Sequence, residues 1–247
     1  MLKTRIIPVL TFNGISLVKT KQFNSPRIVG NPIQAARVYN NRDVDEIIFL
    51  DIKAKEQKRK LNLPMVKKII DECFMPISIG GGVETFDDIN NFLRIGADKV
   101  IIKTKAIEDP IFVSKAVDYF GSQCISISVD VILVNGKYFI HNKKNNIPLE
   151  TFIQEMNNCK VGEYAVNSVD RDGMMQGYDL DLYKIVNQLT TIPVIAIGGA
   201  GTPEHFVKLC QSGFKGALAA ASIFHFTQHT PQEIKRTLDF VKIPVRI

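Results

Sequence analysis

Short apolar segments recur along the chain, and each is followed by a stretch in which apolar residues have helical spacing. Strands that are buried on both faces of a parallel sheet are apolar almost throughout, so these segments are predicted to be strands. The eight predicted strands are Arg5–Leu10, Glu46–Asp51, Pro76–Ile79, Lys99–Ile102, Cys124–Val129, Glu163–Asn167, Pro193–Ile197 and Gly216–Ala219. Several of the stretches between them begin at Pro, Asn, Thr or Asp, which favours helix starts. The eight predicted helices are Pro32–Asn40, Pro64–Cys73, Thr85–Leu93, Asp109–Tyr119, Pro148–Asn158, Leu180–Leu189, Pro203–Gln211 and Pro231–Val241.

Eight strands that alternate with eight helices predict an α/β fold with a parallel sheet, and the number of units favours closure into a (β/α)8 TIM barrel. The alternative is an open, doubly wound sheet. Such a sheet usually has fewer units and a G-x-G-x-x-G turn after its first strand. Neither feature is present in this sequence.

The two halves of the chain resemble each other. The segment IGGGVET at the end of the third predicted strand parallels IGGAGTPE at the end of the seventh. Gly80 and Gly198 are separated by 118 residues, and so are Thr104 and Ser222. A repeat of half the chain is too long for a solenoid. It indicates a single barrel over residues 1–247, built from two half-barrels of four units each at about 1–122 and 123–247.

Composition and charge narrow the class of ligand. The chain has 247 residues, which is typical of one such barrel. Its net charge of +6 and its isoelectric point near 9.1 favour anionic substrates. The densest cluster of cations, from Lys53 to Lys60, contains no aromatic residue, so nucleic acid is not expected as a partner. No apolar run approaches the roughly 20 residues of a membrane span, so no membrane partner is expected either.

The cysteines and histidines do not indicate a metal or redox site. The four cysteines are widely scattered and form no C-x-x-C pair, which is typical of a protein from the reducing cytoplasm. His225 and His229 are four residues apart, but no third metal ligand is apparent. We therefore expect no metal and no cofactor.

Glycine-rich turns follow the third and seventh predicted strands, and hydroxyl residues follow the fourth and eighth. Glycine lets backbone N–H groups approach an anion closely, and a hydroxyl adds a donor. In a barrel all four turns lie at the C-terminal rim, where active sites are found. We therefore expect one phosphate-binding cradle in each half, with turn glycines that bind no ligand as the alternative. The predicted cradle residues are Gly81, Gly82, Lys103 and Thr104 in the first half and Gly198, Gly199, Ala221 and Ser222 in the second.

Further polar residues are predicted at the same rim. Asp130 ends the fifth predicted strand, where a carboxylate can act as a general acid or base. A helix cap or an ion pair is the alternative role for Asp130. The equivalent residue near the first strand is Thr11, whose hydroxyl cannot replace a carboxylate in proton transfer near pH 7. The other candidates for substrate binding are Lys19, Asp51, Asn167, Asp172 and Gly173.

An ordered set of motifs runs from Arg5 to Phe226. The motifs are RIIP, LVK, FLDI, GGGV, ADKV, FGSQ, DRDG, GGAG, EHF and IFHF. In this order they resemble HisF, the cyclase subunit of imidazole glycerol phosphate synthase. The resemblance implies a heterodimer with a HisH-like glutaminase that makes ammonia. It also implies that the ammonia passes through the barrel and reacts with a bis-phosphate ribonucleotide at the C-terminal rim.

The resemblance implies a changed substrate face. The family's general acid and base are aspartates at the ends of strands one and five. Asp130 retains the second aspartate, whereas Thr11 replaces the first. The other departures are Lys103 for Asn, Asn167 for Thr, Ile197 for Ser, and Val131-Ile132-Leu133 where the family has a Lys.

The opposite end of the barrel is retained. The four charged residues of the family's ammonia gate match Arg5, Glu46, Lys99 and Glu163. Asp98 and Gln123 match positions at the glutaminase interface. Ion pairs that merely close the floor of the barrel are the alternative interpretation of the four charges.

In its retained gate and its altered substrate face, the sequence resembles a second, HisF-like branch of the family. That branch occurs with a glutaminase-like partner and a third protein in surface-polysaccharide synthesis, where ammonia is used to make an acetamidino group on a nucleotide-activated sugar. We therefore expect an ammonia-dependent synthase subunit that acts on a phosphorylated substrate such as a nucleotide-activated sugar. The alternatives are the ordinary cyclase of histidine biosynthesis, a non-catalytic docking subunit and a phosphosugar isomerase.

Overall fold

Eight parallel strands form a closed ring in the computed structural model, which describes residues 3–142 and 147–247. The strands, in chain order, are β1 (Ile6–Phe12), β2 (Leu17–Lys21), β3 (Asn24–Gly30), β4 (Ile47–Asp51), β5 (Ile77–Gly80), β6 (Lys99–Ile102), β7 (Ile125–Val134), β8 (Lys137–Ile140), β9 (Ile147–Pro148), β10 (Glu163–Ser168), β11 (Val194–Ile197) and β12 (Ala217–Ala220). The ring consists of β1, β4, β5, β6, β7, β10, β11 and β12, and the pairing of β7 with β10 closes it. The prediction of a (β/α)8 TIM barrel is confirmed.

Helices follow the strands of the ring. They are α1 (Pro32–Asn40), α2 (Leu63–Ile70), α3 (Phe86–Arg94), α4 (Thr104–Glu108), α5 (Pro110–Phe120), α6 (Leu149–Asn158), α7 (Leu180–Leu189), α8 (Pro203–Gln211), α9 (Ser222–Phe226) and α10 (Pro231–Phe240). Local sequence explains several of their starts. The side chains of Asn31 and Asn62 accept hydrogen bonds from the first turns of α1 and α2, and Thr85 with Asp88 forms a capping box on α3.

Alternation along the strands sorts the apolar side chains into two cores. On β1, Ile7 and Val9 belong to a small cluster made almost entirely of strand residues, whereas Ile6 and Leu10 belong to a larger cluster that includes helix residues. Successive side chains of a strand point to opposite faces, so the small cluster fills the inside of the barrel and the large one lies beneath the helices. The same alternation directs Thr11 at the end of β1 towards the inside.

The sequence predicted most of these elements closely. The bounds of β6, α1, α7 and α8 match the predicted ranges, and the other predicted bounds lie within three residues of those observed. The exception is β7, which continues to Val134 because its second half pairs with β8 in an antiparallel hairpin. The strands β2, β3, β8 and β9 and the short helices α4 and α9 were not predicted. The division into two half-barrels remains a prediction.

Two further features bear on the kind of site to expect. Across residues 3–142 and 147–247, no helix is long and apolar enough to cross a membrane. The same residues contain no group of three or more His, Cys, Asp or Glu side chains that could hold a metal ion. The four cysteines are free thiols, and burial raises the pKa of Cys73 to about 12 and that of Cys210 to about 11, which disfavours a thiolate nucleophile.

Candidate active site

Polar side chains from four strands meet at the mouth of the barrel, where the strands end. Asp130 and Asn167 are paired neighbours on β7 and β10, and Asn167 Nδ2 lies 3.4 Å from Asp130 Oδ1. Lys103, which follows β6, forms an ion pair with the other carboxylate oxygen of Asp130. Asp130 therefore has a cation on one oxygen and an amide on the other.

Thr11 occupies the end of β1 on the same inner face. Its hydroxyl donates a hydrogen bond to the backbone carbonyl of Val18 on β2. This contact joins the first barrel strand to the hairpin that follows it. Thr11 therefore has a structural partner, in addition to lacking a group that ionises near neutral pH.

The hairpin β2–β3 lies beside the mouth and is anchored to the turn after β10. Lys19 Nζ lies 2.6 Å from Asp172 Oδ1, and both side chains are buried. Thr20 Oγ1 donates to Asp172 Oδ2 at 3.2 Å, and the backbone N–H of Gln22 donates to the Asp172 carbonyl at 2.9 Å. At Gly173, where φ is +72°, a Cβ would clash with the carbonyl of Thr20. The predicted residues Lys19, Asp172 and Gly173 are thus brought together by the hairpin.

The tip of this hairpin presents an aromatic ring to the mouth. Gln22 and Phe23 form a two-residue turn between β2 and β3, and both have positive φ values. The Phe23 ring packs edge-on against the ring of His141 with 5.6 Å between centroids. Lys103 Nζ lies 5.6 Å from the Phe23 centroid, within the range of a cation–π contact. Phe23 therefore borders the Lys103–Asp130 pair.

The two predicted cradles lie at the ends of β5–β6 and β11–β12. In the first, Gly81 has a φ of +118°, and a Cβ there would lie 2.5 Å from the Asp51 carbonyl oxygen. In the second, Gly198 has a φ of +99°, and a Cβ there would lie 2.7 Å from Asn167 Oδ1. Glycine is required at both positions because of the backbone conformation and the close neighbours. The remaining glycines of the cradles, Gly82 and Gly199, also have positive φ values.

The hydroxyl residues of the cradles begin two short helices. Thr104 begins α4 and Ser222 begins α9, and Ala221 precedes Ser222. The Oγ of Ser222 is buried and has no hydrogen-bond partner among residues 3–142 and 147–247. Asn167 Oδ1 is the other buried side-chain atom without a partner in that part of the chain. Buried polar atoms are usually hydrogen-bonded, so both atoms indicate where a polar ligand would bind.

Both oxygens of the Asp51 carboxylate accept hydrogen bonds from other residues of the chain. Arg59 binds it with both guanidinium nitrogens, at 2.5 and 2.8 Å. The backbone N–H groups of Lys53 and Ala54 also donate to Asp51 Oδ1. Asp51 therefore fixes the loop after β4 rather than presenting a free carboxylate to a ligand. Arg59, a residue of the cationic cluster, was not predicted as a member of the site.

Four charged side chains form a closed ring at the other end of the barrel. Arg5 Nη1 lies 2.5 Å from Glu46 Oε2, and Arg5 also pairs with Glu163. Lys99 Nζ lies 3.1 Å from Glu46 and 2.8 Å from Glu163. Cations and anions therefore alternate around the ring. Glu46 also accepts a hydrogen bond of 2.7 Å from Ser78 Oγ. We call these four residues (Arg5, Glu46, Lys99 and Glu163) the floor ring.

The ring stabilises the charged form of Arg5. Burial alone would lower the pKa of Arg5, but the charges of Glu163 and Glu46 and their hydrogen bonds outweigh it, so the pKa lies above its ordinary value. Buried charges are tolerated when partners compensate for lost hydration, and here each member has two oppositely charged neighbours.

The two predicted interface residues lie at the same end. Asp98 directly precedes β6, and its Oδ2 accepts a 2.8 Å hydrogen bond from the backbone N–H of Ile77. Gln123 lies in a 3-10 turn directly before β7. Both residues are exposed, so they flank the floor ring on an accessible face.

Comparison with known proteins identifies the family. The histidine biosynthesis protein family matches residues 5–230. The chain belongs to this family. A Campylobacter jejuni protein with the provisional name imidazole glycerol phosphate synthase subunit hisF2 is 40% identical over 250 residues, which cover the whole of both chains. A Vibrio vulnificus protein with the same provisional name is 39% identical over all of this chain and 92% of its own. An Endomicrobium trichonymphae protein named imidazole glycerol phosphate synthase subunit HisF is 37% identical over all of this chain and 96% of its own.

The predicted resemblance to HisF is therefore confirmed, and the chain is a HisF-like member of the histidine biosynthesis protein family. The structure brings Thr11, Lys103, Asp130 and Asn167 together at the mouth of this HisF-like barrel. It brings Arg5, Glu46, Lys99 and Glu163 together at the floor. The roles of these residues in binding and catalysis remain predictions.

Sequence reasoning missed two residues of the HisF-like mouth. Arg59 is identified only by its contact with Asp51, because any cation of the cluster could have been the partner. Phe23 follows a polar segment and has no hydrophobic pattern around it. Only the two-residue turn of the hairpin places its ring beside Lys103.

Proposed function

We propose that this chain is a HisF-like synthase subunit that receives ammonia from a HisH-like glutaminase through the barrel and delivers it to a phosphorylated substrate. The acceptor proposed is a nucleotide-activated sugar that is given an acetamidino group for a surface polysaccharide. The general class, a HisF-like subunit of the imidazole glycerol phosphate synthase type, follows from the family. The acceptor and the route of ammonia belong to the proposal.

The observation that carries the proposal is the floor ring beneath an apolar interior. Above the ring, the inner core is built from aliphatic and small residues, with alanine at Ala165, Ala217 and Ala219. An apolar interior is poorly suited to a charged solute, whereas ammonia is small and neutral. A ring that alternates in charge can exclude ions and still open by exchanging ion-pair partners. These features support passage of ammonia from the floor to the mouth.

The mouth supports an acceptor different from the family's ribonucleotide. Thr11 and Asp130 stand where the family has two aspartates, so one carboxylate is lost. Lys103 forms an ion pair with the carboxylate that remains, that of Asp130. Loss of one member of an acid–base pair typically reduces the rate by a factor of about 100 or more. The mouth is thus poorly equipped for the family's own cyclisation.

Two features support a phosphorylated acceptor. The cradles place paired glycines and a hydroxyl on opposite halves of the mouth, and Ser222 Oγ lacks a partner within the described ranges. The net charge of +6 also favours an anionic ligand. A nucleotide-activated sugar carries a diphosphate and would satisfy both features.

The second candidate function is the ordinary cyclase reaction of histidine biosynthesis. Asp130 and both cradles favour it, as does the similarity to the Endomicrobium trichonymphae protein named HisF. A non-catalytic docking subunit is a third possibility. That role predicts that Asp130→Asn changes no activity of the complex, whereas the two enzymatic functions predict a loss.

The route of ammonia is tested with a variant that alters the floor ring and leaves the residues of the mouth unchanged. Lys99→Met removes one cation from the floor ring and leaves Glu46 and Glu163 with Arg5 alone. If ammonia passes the ring, we expect the complex with glutaminase to form less product per glutamine hydrolysed. The rate with external ammonium chloride should change little, because external ammonia reaches the mouth directly. The measurement compares glutamine-driven and ammonium-driven product formation.

Lys60→Met is the matched control, because it removes an exposed lysine that pairs with Asp88 outside the barrel. It should leave the ratio of product to glutamine unchanged. An equal fall of the glutamine-driven and ammonium-driven rates in Lys99→Met would contradict the proposed route.

A further inference from the structure

The contact between Lys103 and Asp130 has a chemical consequence for the mouth. Lys103 extends from the end of β6 and Asp130 from the middle of the long strand β7, on the adjacent barrel strand. The amine binds one carboxylate oxygen, and Asn167 approaches the other at 3.4 Å. An amine and a carboxylate in direct contact can exchange a proton without an intervening water.

The pair is accessible from the mouth. The side chain of Lys103 is 36% exposed and that of Asp130 is 10% exposed, so the amine is the more open of the two. Phe23 lies over Lys103 at 5.6 Å, and its own ring packs on His141. The amine of Lys103 therefore lies between an aromatic ring and a carboxylate. This arrangement orients Lys103 without burying it.

Thr11 lies at the end of β1, where the resemblance to HisF implies an aspartate. The Thr11 hydroxyl donates to the carbonyl of Val18, so it contributes neither a charge nor a free donor at the mouth. Lys103 is the one cation that contacts Asp130 among the described residues. The mouth therefore still contains two groups that can gain or lose a proton, on β6 and β7 instead of on β1 and β7.

We infer that Lys103 and Asp130 together form the proton-transfer pair of this barrel, with Lys103 as the donor in place of a carboxylate at the end of β1. The inference rests on the proposed function, because it assumes that ammonia reaches the mouth. It assigns to Lys103 a role different from the phosphate contact predicted from its position beside Thr104.

Lys103 and Asp130 donate and accept all the protons that the addition of ammonia requires. Ammonia attacks a C=O or C=N carbon of the acceptor, a C–N bond forms, and the π electron pair moves to the oxygen or nitrogen of the acceptor. Asp130 takes one proton from the attacking nitrogen, which has become positively charged. Lys103 gives one proton to the atom that received the electron pair. Asp130 then returns its proton to the neutral amine of Lys103, which restores both groups. With a C=O acceptor, Lys103 next gives a proton to the hydroxyl of the adduct, the C–O bond breaks and water leaves, while Asp130 takes a proton from the added nitrogen as the C=N bond of the acetamidino group forms. Return of that proton from Asp130 to Lys103 restores the pair again.

The inference is tested with Lys103→Ala and chemical rescue. Wild type and variant are assayed with ammonium chloride and, in separate reactions, with the bis-phosphate ribonucleotide and with UDP-N-acetylglucosamine. We expect Lys103→Ala to lower turnover by at least about 100-fold, as removal of a general acid typically does. Added ethylamine should restore turnover in a saturable way with no change in product mass. A purely structural role for Lys103 would not be rescued by a free amine.

Lys105→Ala is the matched control. Lys105 lies two residues further along, on α4. Its amine pairs with Asp109 at 2.9 Å instead of with Asp130. Its variant should keep the wild-type rate and show no response to ethylamine. Retention of the wild-type rate in Lys103→Ala, or a loss that ethylamine does not restore, overturns the inference and leaves the proposed function standing.

A second measurement separates this inference from the proposed function. If the wild type turns over neither substrate, the proposed function fails, and the pair is then judged without substrate. In ¹⁵N-lysine-labelled protein, an ammonium group held by a carboxylate exchanges its protons slowly and gives a visible signal. We expect the Lys103 signal, assigned with Lys103→Arg, to be present in the wild type and absent in Asp130→Asn. A Lys103 signal that is absent from the wild type or unchanged by Asp130→Asn overturns the inference.

Discussion

At the residue scale, the mouth holds polar atoms that the chain itself leaves without partners. Ser222 Oγ and Asn167 Oδ1 are buried and unbonded within residues 3–142 and 147–247. Leaving a buried polar atom unsatisfied costs about 1–3 kcal/mol. A phosphorylated ligand would offer acceptors to the hydroxyl, and an amine or hydroxyl of the ligand could donate to the amide oxygen. Both atoms are therefore available to bind a polar ligand.

His225 is a second residue whose state depends on its surroundings. It lies on α9 beside the ring of Tyr39. Burial and, to a smaller extent, the charge of Lys19 lower the pKa of His225 to about 4, against the opposing effect of a hydrogen bond with the backbone of Val9. The folded protein thus binds fewer protons at His225 than the unfolded chain does, from about pH 6.5 down to about pH 4.

This difference predicts a pH-dependent stability. Because the pKa is lowered on folding, the stabilisation is complete above about pH 6.5 and is lost as the pH falls towards 4. Between pH 7 and pH 4.5 the free energy of unfolding of the wild type should fall by about 2–3 kcal/mol more than that of His225→Gln. Urea denaturation at several pH values measures both. The half-buried His229, which pairs with Glu233, provides the control variant His229→Gln. Parallel curves for wild type and His225→Gln would contradict the prediction.

At the scale of elements, the barrel was predictable and the hairpins were not. The strands of the ring are apolar because both of their faces are buried, so their pattern is visible in the sequence. In the hairpin β2–β3, β3 is mostly exposed and only the first three residues of β2 are buried, and the strands exist because their backbones pair with each other and with β1. Such pairing leaves no periodic signal in the side chains.

The candidate site was predictable to the same extent. Alternation along the strands places Thr11, Asp130 and Asn167 at the inner rim, as the sequence indicated. The pairs Lys103–Asp130, Lys19–Asp172 and Arg59–Asp51 were not predictable, because each depends on how loops cross the mouth. The first of these pairs decides the charge of the site.

The anchoring of the hairpin gives a prediction at this scale. Lys19→Met removes the cation from a buried ion pair and leaves the Asp172 carboxylate uncompensated. Loss of one partner of such a pair typically costs about 3–5 kcal/mol. We expect a fall of this order in the free energy of unfolding, together with faster proteolysis within the hairpin. Lys21→Met, an exposed lysine of the same strand, should change the stability by less than about 0.5 kcal/mol. Equal stabilities of the two variants would contradict the role of the pair.

At the scale of the whole molecule, the barrel interior has three layers. The floor ring is charged and closed, the middle is apolar, and the mouth carries Lys103, Asp130 and Asn167. The layers follow from one alternation, since Lys99, Ile101 and Lys103 are successive inward positions of β6 and the residue after it. A single barrel thus separates the charged floor, where we propose that ammonia enters, from the polar mouth, where we propose that the acceptor binds.

The proposed function requires this HisF-like barrel to deliver ammonia to an acceptor other than the family's ribonucleotide. The most direct measurement is ammonia-dependent turnover of the bis-phosphate ribonucleotide by the purified chain, beside Thr11→Asp. We expect no turnover of the ribonucleotide above background by the wild type, because the inferred donor, Lys103, lies beside Asp130 at the end of β6, and Thr11 supplies no ionisable group at the end of β1. Turnover of the ribonucleotide by the wild type at the rate of an ordinary HisF cyclase would contradict the account and assign the chain to histidine biosynthesis.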